Sequence, residues 1–510
     1  MERILAMTKI GVFPDLTPEE AAAKIPDGAT VAFSGFTNAG AAKVLPRALA
    51  ARARNEHENG RPYRLRVMTG ASCSASIDDP LAQEDAISWR APYQSASRLR
   101  KQINSQEVEY VDMHLSQVSE MVLAGFHGKI DFAVIEATEV TPDGRVYLTT
   151  SVGASPAYLQ YADRVLIEVN RYHSARLREM TDITILTAPP HRGMLPLHDP
   201  LTKIGYPYAE VDPRRIVGIV ESNEPDSIGA FTPPDERSRK IAEHVVKFLL
   251  EELRVGQIPP EFLPLQAGVG NIANGVMAAL GESEDIPPFQ MYTEVFQDSL
   301  VDLMEGGKLR AASTTALTLT PENLQRIYDN IDFFVPRIVL RPQEISNHPG
   351  VVLRLGVIAM NTALEVDIYG NVNSSHVYGT DIMNGVGGSG EFTRNAFLSI
   401  YMCPSIAKGG RISSIVPMVA HVDNNEHSVQ IVVTEQGLAD LRGLGPMQRA
   451  KAMIENCAHP AYRDYLHRYI EKARVGHIRH DLDACFELHI NLMEQGAMLP
   501  DLDLSQFREE

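Results

Sequence analysis

Apolar, β-prone runs at residues 29–33, 130–134, 164–169 and 216–220 alternate with helical or turn-rich stretches along the first half of the chain. Strand, small-residue turn and helix in repeated succession is the pattern of an α/β fold built on a parallel sheet. The first unit is the best marked. Thr17-Pro-Glu-Glu20 has the form of a capping box, with Thr17 as N-cap, Pro18 at the first helical position and Glu20 at the third. Asp27-Gly28 then turns the chain into the 29–33 run, which breaks at Ser34-Gly-Phe-Thr-Asn-Ala-Gly40, and 41–53 reads as helix. Residues 221–235 are polar and carry Pro225, Pro233 and Pro234, which suits a linker. Beyond them Ile241, Val245, Phe248 and Leu249 form a helical stripe, and a second α/β region runs on from about Pro264.

The two regions echo one another. Ile135-Glu-Ala-Thr-Glu-Val-Thr-Pro-Asp-Gly-Arg-Val146 leads into Ser151-Val-Gly-Ala-Ser155, and Leu364-Glu-Val-Asp-Ile-Tyr-Gly-Asn-Val372 leads into Gly385-Val-Gly-Gly-Ser-Gly390. Each is an acidic strand, a glycine turn, a short strand and a small-residue loop. The expectation is a duplicated α/β architecture of two related open domains, 1–225 and 226–510, with largely parallel sheets. The active site is expected between them, a common place for ligand pockets.

Length supports more than one domain, since 510 residues exceed what one ordinary core holds. The apolar share of 44% and charged share of 22% are those of a globular protein. No apolar stretch reaches bilayer length, and Met1-Glu-Arg-Ile-Leu-Ala-Met-Thr-Lys-Ile10 has neither a long apolar segment nor transit-peptide character. A cytoplasmic, membrane-free protein is expected. The net charge of −18 argues against nucleic acid as a partner but permits a small anion where basic residues gather. Cys73, Cys403, Cys457 and Cys485 lie far apart, which speaks for buried thiols over a zinc site or disulfide framework. The 16 histidines show no paired metal spacing, so no metal is assigned.

The chemistry centres on Glu294, in Met291-Tyr-Thr-Glu-Val-Phe-Gln-Asp298. Two glycine loops could flank it, Gly268-Val-Gly-Asn-Ile272 and Asn384-Gly-Val-Gly-Gly-Ser-Gly-Glu391. Glycine lets backbone N–H groups approach a ligand oxygen closely, as a phosphate cradle or an oxyanion hole. The bland alternatives are a tight turn for each loop and a solvated face or ion pair for the glutamate. A dinucleotide fingerprint fits poorly, because the spacing is GxGGxG and no Asp or Glu occurs from Thr393 to His421. Lys408-Gly-Gly-Arg411 supplies local positive charge, as a surface turn or as a contact for an anionic ligand.

Taken together, these segments resemble the acetyl-CoA hydrolase/transferase family, the class I CoA-transferases. The likeness runs through Ser34-Gly-Phe-Thr37, Val67-Met-Thr-Gly-Ala-Ser72 and Trp89-Arg-Ala-Pro-Tyr93 in the first half. In the second it runs through Leu263-Pro-Leu-Gln-Ala-Gly-Val-Gly-Asn271, Tyr292-Thr-Glu-Val295, Glu344-Ile-Ser-Asn347, Asp367-Ile-Tyr-Gly-Asn-Val-Asn373, Met383-Asn-Gly-Val-Gly-Gly-Ser-Gly-Glu391, Thr434-Glu-Gln-Gly437 and Asp440-Leu-Arg-Gly443.

The resemblance implies a CoA-transferase acting on acetate, propionate and succinate by a ping-pong route, with acyl-CoA and small carboxylates as its partners. A short-chain acyl-CoA hydrolase is the alternative, and a non-enzymatic metabolite-binding module a more distant one. It implies Glu294 as the residue that forms a glutamyl-CoA thioester. Val269 and Gly388 become oxyanion donors through their amides, and Asn347 a polar neighbour of the glutamate. Gly268, Val269, Gly270, Asn271, Ile272, Leu364, Gly388 and Lys408 become CoA contacts. Coenzyme A is then substrate, no cofactor is tightly bound, and a homodimer is implied. One departure stands out. Val220-Glu-Ser-Asn-Glu-Pro-Asp-Ser-Ile228 holds no arginine, where some acetate- and succinate-using relatives carry one that can meet a substrate carboxylate.

Overall fold

The computed structural model describes residues 12–229 and 233–507. The amino-terminal segment Met1 to Ile10, read above for targeting character, lies outside the described residues. These residues form two compact units, one of 12–196, 203–229 and 314–346, the other of 197–202, 233–313 and 347–507. A single break at 225/226 would assign residues 197–202, 226–229 and 314–346 differently, and local pairing explains where they go. In the first unit Ala316, Leu340 and Pro342 bridge Ser151, Thr181 and Gly153, and buried Arg341 pairs with buried Asp182. In the second, Leu197 accepts from Arg354 Nη2 at 2.7 Å and Asp199 from Gln290 Nε2 at 3.1 Å.

The first unit is built on β1 (Thr30–Phe33), β2 (Leu65–Met68), β3 (Ile87–Ala91), β4 (Phe132–Val140), β5 (Arg145–Leu148), β6 (Arg164–Asn170) and β7 (Ile216–Ser222). The parallel strands lie in the order β3-β2-β1-β4-β6-β7, with β5 antiparallel on β4. Helix α1 (Pro18–Ala23) is closed as its spacing predicts: Glu20 N–H donates to Thr17 Oγ1 at 3.1 Å, and Thr17 N–H to Glu20 Oε2 at 2.8 Å. Helix α2 (Val44–Glu58) starts three residues later than the 41–53 reading. The reason is Glu168 on β6, whose buried carboxylate accepts from the N–H groups of Lys43, Val44 and Leu45 and so caps the helix from another strand. The 221–235 linker is also partly built in. Ser222 ends β7, and buried Asp226 takes N–H from Gly40 at 3.1 Å and the Lys43 ammonium at 2.9 Å.

The second unit holds helix α3 (Glu236–Arg254), which buries Ile241, Val245 and Leu249 of the predicted stripe. Its strands are β8 (Leu265–Ala267), β9 (Phe289–Tyr292), β10 (Leu309–Thr314), β11 (Ile358–Thr362), β12 (Glu365–Asp367), β13 (Val372–Asn373), β14 (Leu398–Met402), β15 (Ile431–Thr434) and β16 (Gly437–Asp440). The parallel order is β10-β9-β8-β11-β14-β15, with β16 antiparallel on β15. Short edge strands apart, both parallel sheets read 3-2-1-4-5-6 when numbered by appearance. The echoing segments also correspond: each forms an antiparallel hairpin at the fourth strand, β4–β5 in one unit and β12–β13 in the other. Two α/β units of one topology therefore make up the chain. All four cysteines are free and buried. Among the described residues no helix is long and apolar enough to cross a membrane.

Candidate active site

In an open parallel sheet, ligands gather at the carboxyl ends of the strands, where the order reverses. In the second unit that point lies between β8 and β11. The Gly268 loop leaves β8, and Glu294 stands two residues past β9, its parallel neighbour in register Leu265↔Met291. Thr293 Oγ1 donates to the Ala267 carbonyl at 3.3 Å, and Gln297 Nε2 to the Gly268 carbonyl at 3.1 Å. The glutamate segment is thus tied to the loop. Gly270, at φ 117°, turns the loop into helix α4 (Asn271–Glu282) in a conformation that L side chains rarely adopt, and no side chain caps that helix.

The second glycine loop meets the glutamate directly. Gly388 packs so closely that a Cβ built on it would lie 1.9 Å from Glu294 Oε1, 2.4 Å from its Cδ and 2.6 Å from Asn347 Nδ2. Its φ of −88° is open to any residue, so space demands glycine here, not backbone strain. Asn347 Nδ2 donates to Glu294 Oε1 at 2.6 Å and to Glu391 Oε2 at 2.7 Å. Burial pushes the Glu294 carboxyl up to about 7, against the pull of the Asn347 hydrogen bond. A carboxylate held near neutrality against bare backbone, with a fixed amide donor on one oxygen, can act as a nucleophile whose own carbonyl is later attacked.

Gly388, Asn347 and Glu294 are in contact; Gly268, Val269, Gly270, Asn271 and Ile272 occupy the neighbouring strand end. The Val269 side chain is exposed. Leu364 is bound through its N–H to the Asn373 carbonyl at 2.9 Å. Exposed Lys408 donates to the Tyr378 hydroxyl at 3.0 Å. Three residues were not singled out from sequence. Glu391 closes the Asn347 link, and Gln297 holds the loop. Arg237, on the first turn of α3, lines a cavity of about 320 Å³ with Val269, Gly270, Asn271, Ile272 and Pro404. Only Glu391 carried a signal, as the residue that ends the second glycine loop.

In the first unit, Glu136, His173 and Asp226 gather their ligand-type atoms within 4.8 Å. These residues are far apart in sequence, so spacing could not reveal them. The Lys43 ammonium reaches both carboxylates. Against the opposing effect of burial, Asp226 and Glu136 hold it above the usual lysine range.

Known proteins align with the chain over almost its whole length. Residues 13–221 match the model of the acetyl-CoA hydrolase/transferase N-terminal domain, and residues 324–470 that of the C-terminal domain. A propanoyl-CoA:succinate CoA transferase of Escherichia coli is 56% identical, over 95% of this chain and 98% of that protein. A succinyl-CoA:acetate CoA-transferase of Clostridium kluyveri is 43% identical, over 95% and 90%. An acetyl-CoA hydrolase of Schizosaccharomyces pombe is 41% identical, over 93% and 94%. With both domain models in chain order and more than half the residues shared with one relative, this chain belongs to the acetyl-CoA hydrolase/transferase family.

Proposed function

We propose that the enzyme is a CoA-transferase that moves CoA between short-chain carboxylic acids, with Glu294 as the covalent carrier. The observation that carries this reading is the Glu294 carboxyl packed against the Gly388 backbone, with Asn347 Nδ2 at 2.6 Å. The Glu294 carboxylate attacks the acyl-CoA carbonyl and expels CoA thiolate, leaving an acyl-glutamyl anhydride. The thiolate then attacks the glutamyl carbonyl carbon. A C–S bond forms, the first acid departs as carboxylate, and CoA remains on Glu294 as a thioester. A second carboxylate runs both steps in reverse. Every step passes through a tetrahedral oxyanion, which in this reading the amides of Val269 and Gly388 meet.

In this reading Gly268 to Ile272, Leu364 and Lys408 hold the CoA portion, and no metal or further cofactor takes part. A carboxylate suits the task because it resembles the acids it exchanges, so anhydride and thioester stay close in energy. Acetate, propionate and succinate are the acids named in the transferase relatives. The reading includes a cytoplasmic enzyme that works as a homodimer, the latter suggested by the family likeness.

The test is to incubate the enzyme with acyl-CoA, reduce with borohydride and weigh the peptide that carries Glu294. A thioester yields a reduced side chain; an unmodified peptide would sink the reading. Hydrolysis is the second reading, supported by relatives named acetyl-CoA hydrolases. Fast release of free CoA from acetyl-CoA without succinate, unchanged when succinate is added, would favour it.

A pH dependence follows. Glu294 attacks as the carboxylate, and its ionised fraction is half at its pKa of about 7. Below that pH, kcat/KM for acyl-CoA is expected to fall about tenfold per unit, since this ratio reports the free enzyme. A profile flat down to pH 5 would contradict the assignment.

A further inference from the structure

The Asn347 side chain stands between two carboxylates. It donates from the same nitrogen to Glu294 Oε1 at 2.6 Å and to Glu391 Oε2 at 2.7 Å. A primary amide nitrogen carries two hydrogens, enough for one to each carboxylate. Asn347 is fully buried and Glu391 is only 4% exposed, so their bond is shielded from water, whereas the bond to Glu294 is part-buried. If the amide turned over, its oxygen would face the Glu391 carboxylate, two acceptors at hydrogen-bond distance. That arrangement is repulsive.

Glu391 lies on α5 (Ser389–Asn395), three residues beyond Gly388. One segment thus supplies both the wall behind Glu294 and the group that orients its amide partner.

We propose that Glu391 is a positioning residue, which keeps the N–H face of Asn347 turned toward Glu294 so that one donor stays on Oε1 through the reaction cycle. This rests on Glu294 being the covalent carrier. In the resting enzyme the donor holds the carboxylate, and the other oxygen makes the bond to the acyl carbon. When thiolate attacks the glutamyl carbon, the carbonyl electron pair moves onto Oε1, where the same N–H meets the new charge. Collapse restores the carbonyl and expels the first acid as carboxylate. Without Glu391 the penalty for turning the amide oxygen toward that carboxylate is lost, and with it one restraint on the donor that faces the developing charge.

A double-mutant cycle tests this, with Glu391→Ala, Asn347→Ala, the pair together, and Glu391→Gln, whose amide oxygen still accepts from Asn347. Glu391→Ala is expected to lower kcat about 10- to 100-fold, the scale of weakening one oxyanion donor, with KM for acetyl-CoA little changed. The double variant should be no slower than Asn347→Ala alone, and Glu391→Gln should keep most of the wild-type kcat. Losses that multiply in the double variant, or a Glu391→Gln enzyme as slow as Glu391→Ala, would overturn the proposal. The glutamyl-CoA adduct separates the two readings. A wild-type enzyme that forms no adduct removes the carrier itself, whereas an adduct with multiplying losses removes only the role given to Glu391.

Discussion

Glu294→Ala is expected to lower kcat by at least about 10⁴-fold, the scale seen when a covalent nucleophile is removed while binding groups remain. The variant should still bind CoA esters, because the 268–272 loop and Lys408, which hold CoA in the proposed reading, are untouched. Glu294→Gln is the stricter form, since it keeps the side-chain volume and an oxygen for Asn347 to donate to. It too should fail to transfer CoA, and its peptide should show no adduct by mass. Retention of more than about 1% of wild-type kcat would rule out the carrier role.

The same substitution has a stability consequence of opposite sign. Burial holds the folded-state pKa near 7, above that of an unfolded glutamate. Between the two values the folded chain binds more protons than the unfolded chain, so stability falls as pH rises through that window. Glu294→Gln removes this cost. Its melting temperature is expected to exceed that of wild type at pH 8, with the gap shrinking toward pH 5. An enzyme that sheds activity while gaining stability is what a buried nucleophile predicts and a structural salt-bridge residue does not.

Features set by neighbours in the chain were legible in the sequence. Thr17 and Glu20 close the α1 cap because the capping box is a local motif, and the strand runs appear because β-prone side chains fit a pleated, buried surface. The hairpin echo also survives, as β4–β5 and β12–β13. What escaped depends on partners distant in sequence. The start of α2 is set by Glu168, more than a hundred residues away, whose carboxylate takes the first N–H groups. Asp226 reads as linker until Lys43 is seen to need a buried counter-charge. The order 3-2-1-4-5-6 requires pairing information that periodicity does not contain. At the site, Glu294 and the glycine loops gained their roles from the family resemblance, since residue type alone left a solvated glutamate and tight turns open, whereas Glu391 and Arg237 gained meaning only once the strand ends converged.

Gly388→Ala is expected to cost about 10²-fold or more in kcat, though it adds a single methyl group and removes no reacting atom. The new Cβ would sit 1.9 Å from Glu294 Oε1 and 2.6 Å from Asn347 Nδ2, distances no non-bonded pair tolerates. Either the carboxyl or the 385–388 backbone must move, and each movement separates the nucleophile from its donor. Loss of one aligned oxyanion donor typically costs 10²–10³ in rate, about 3 kcal/mol, so a displacement of both partners is at least as damaging. Stability should change less, because overpacking costs about 1–3 kcal/mol and the φ of −88° already suits alanine. Thermal melting and circular dichroism separate the two effects. A folded variant that has lost turnover and adduct formation together fits the geometry. A Gly388→Ala enzyme with wild-type kcat would mean that Glu294 works from a different rotamer, away from this wall. The Asn347 contact with Glu294 would then belong to a resting state, because it depends on Oε1 lying against residue 388.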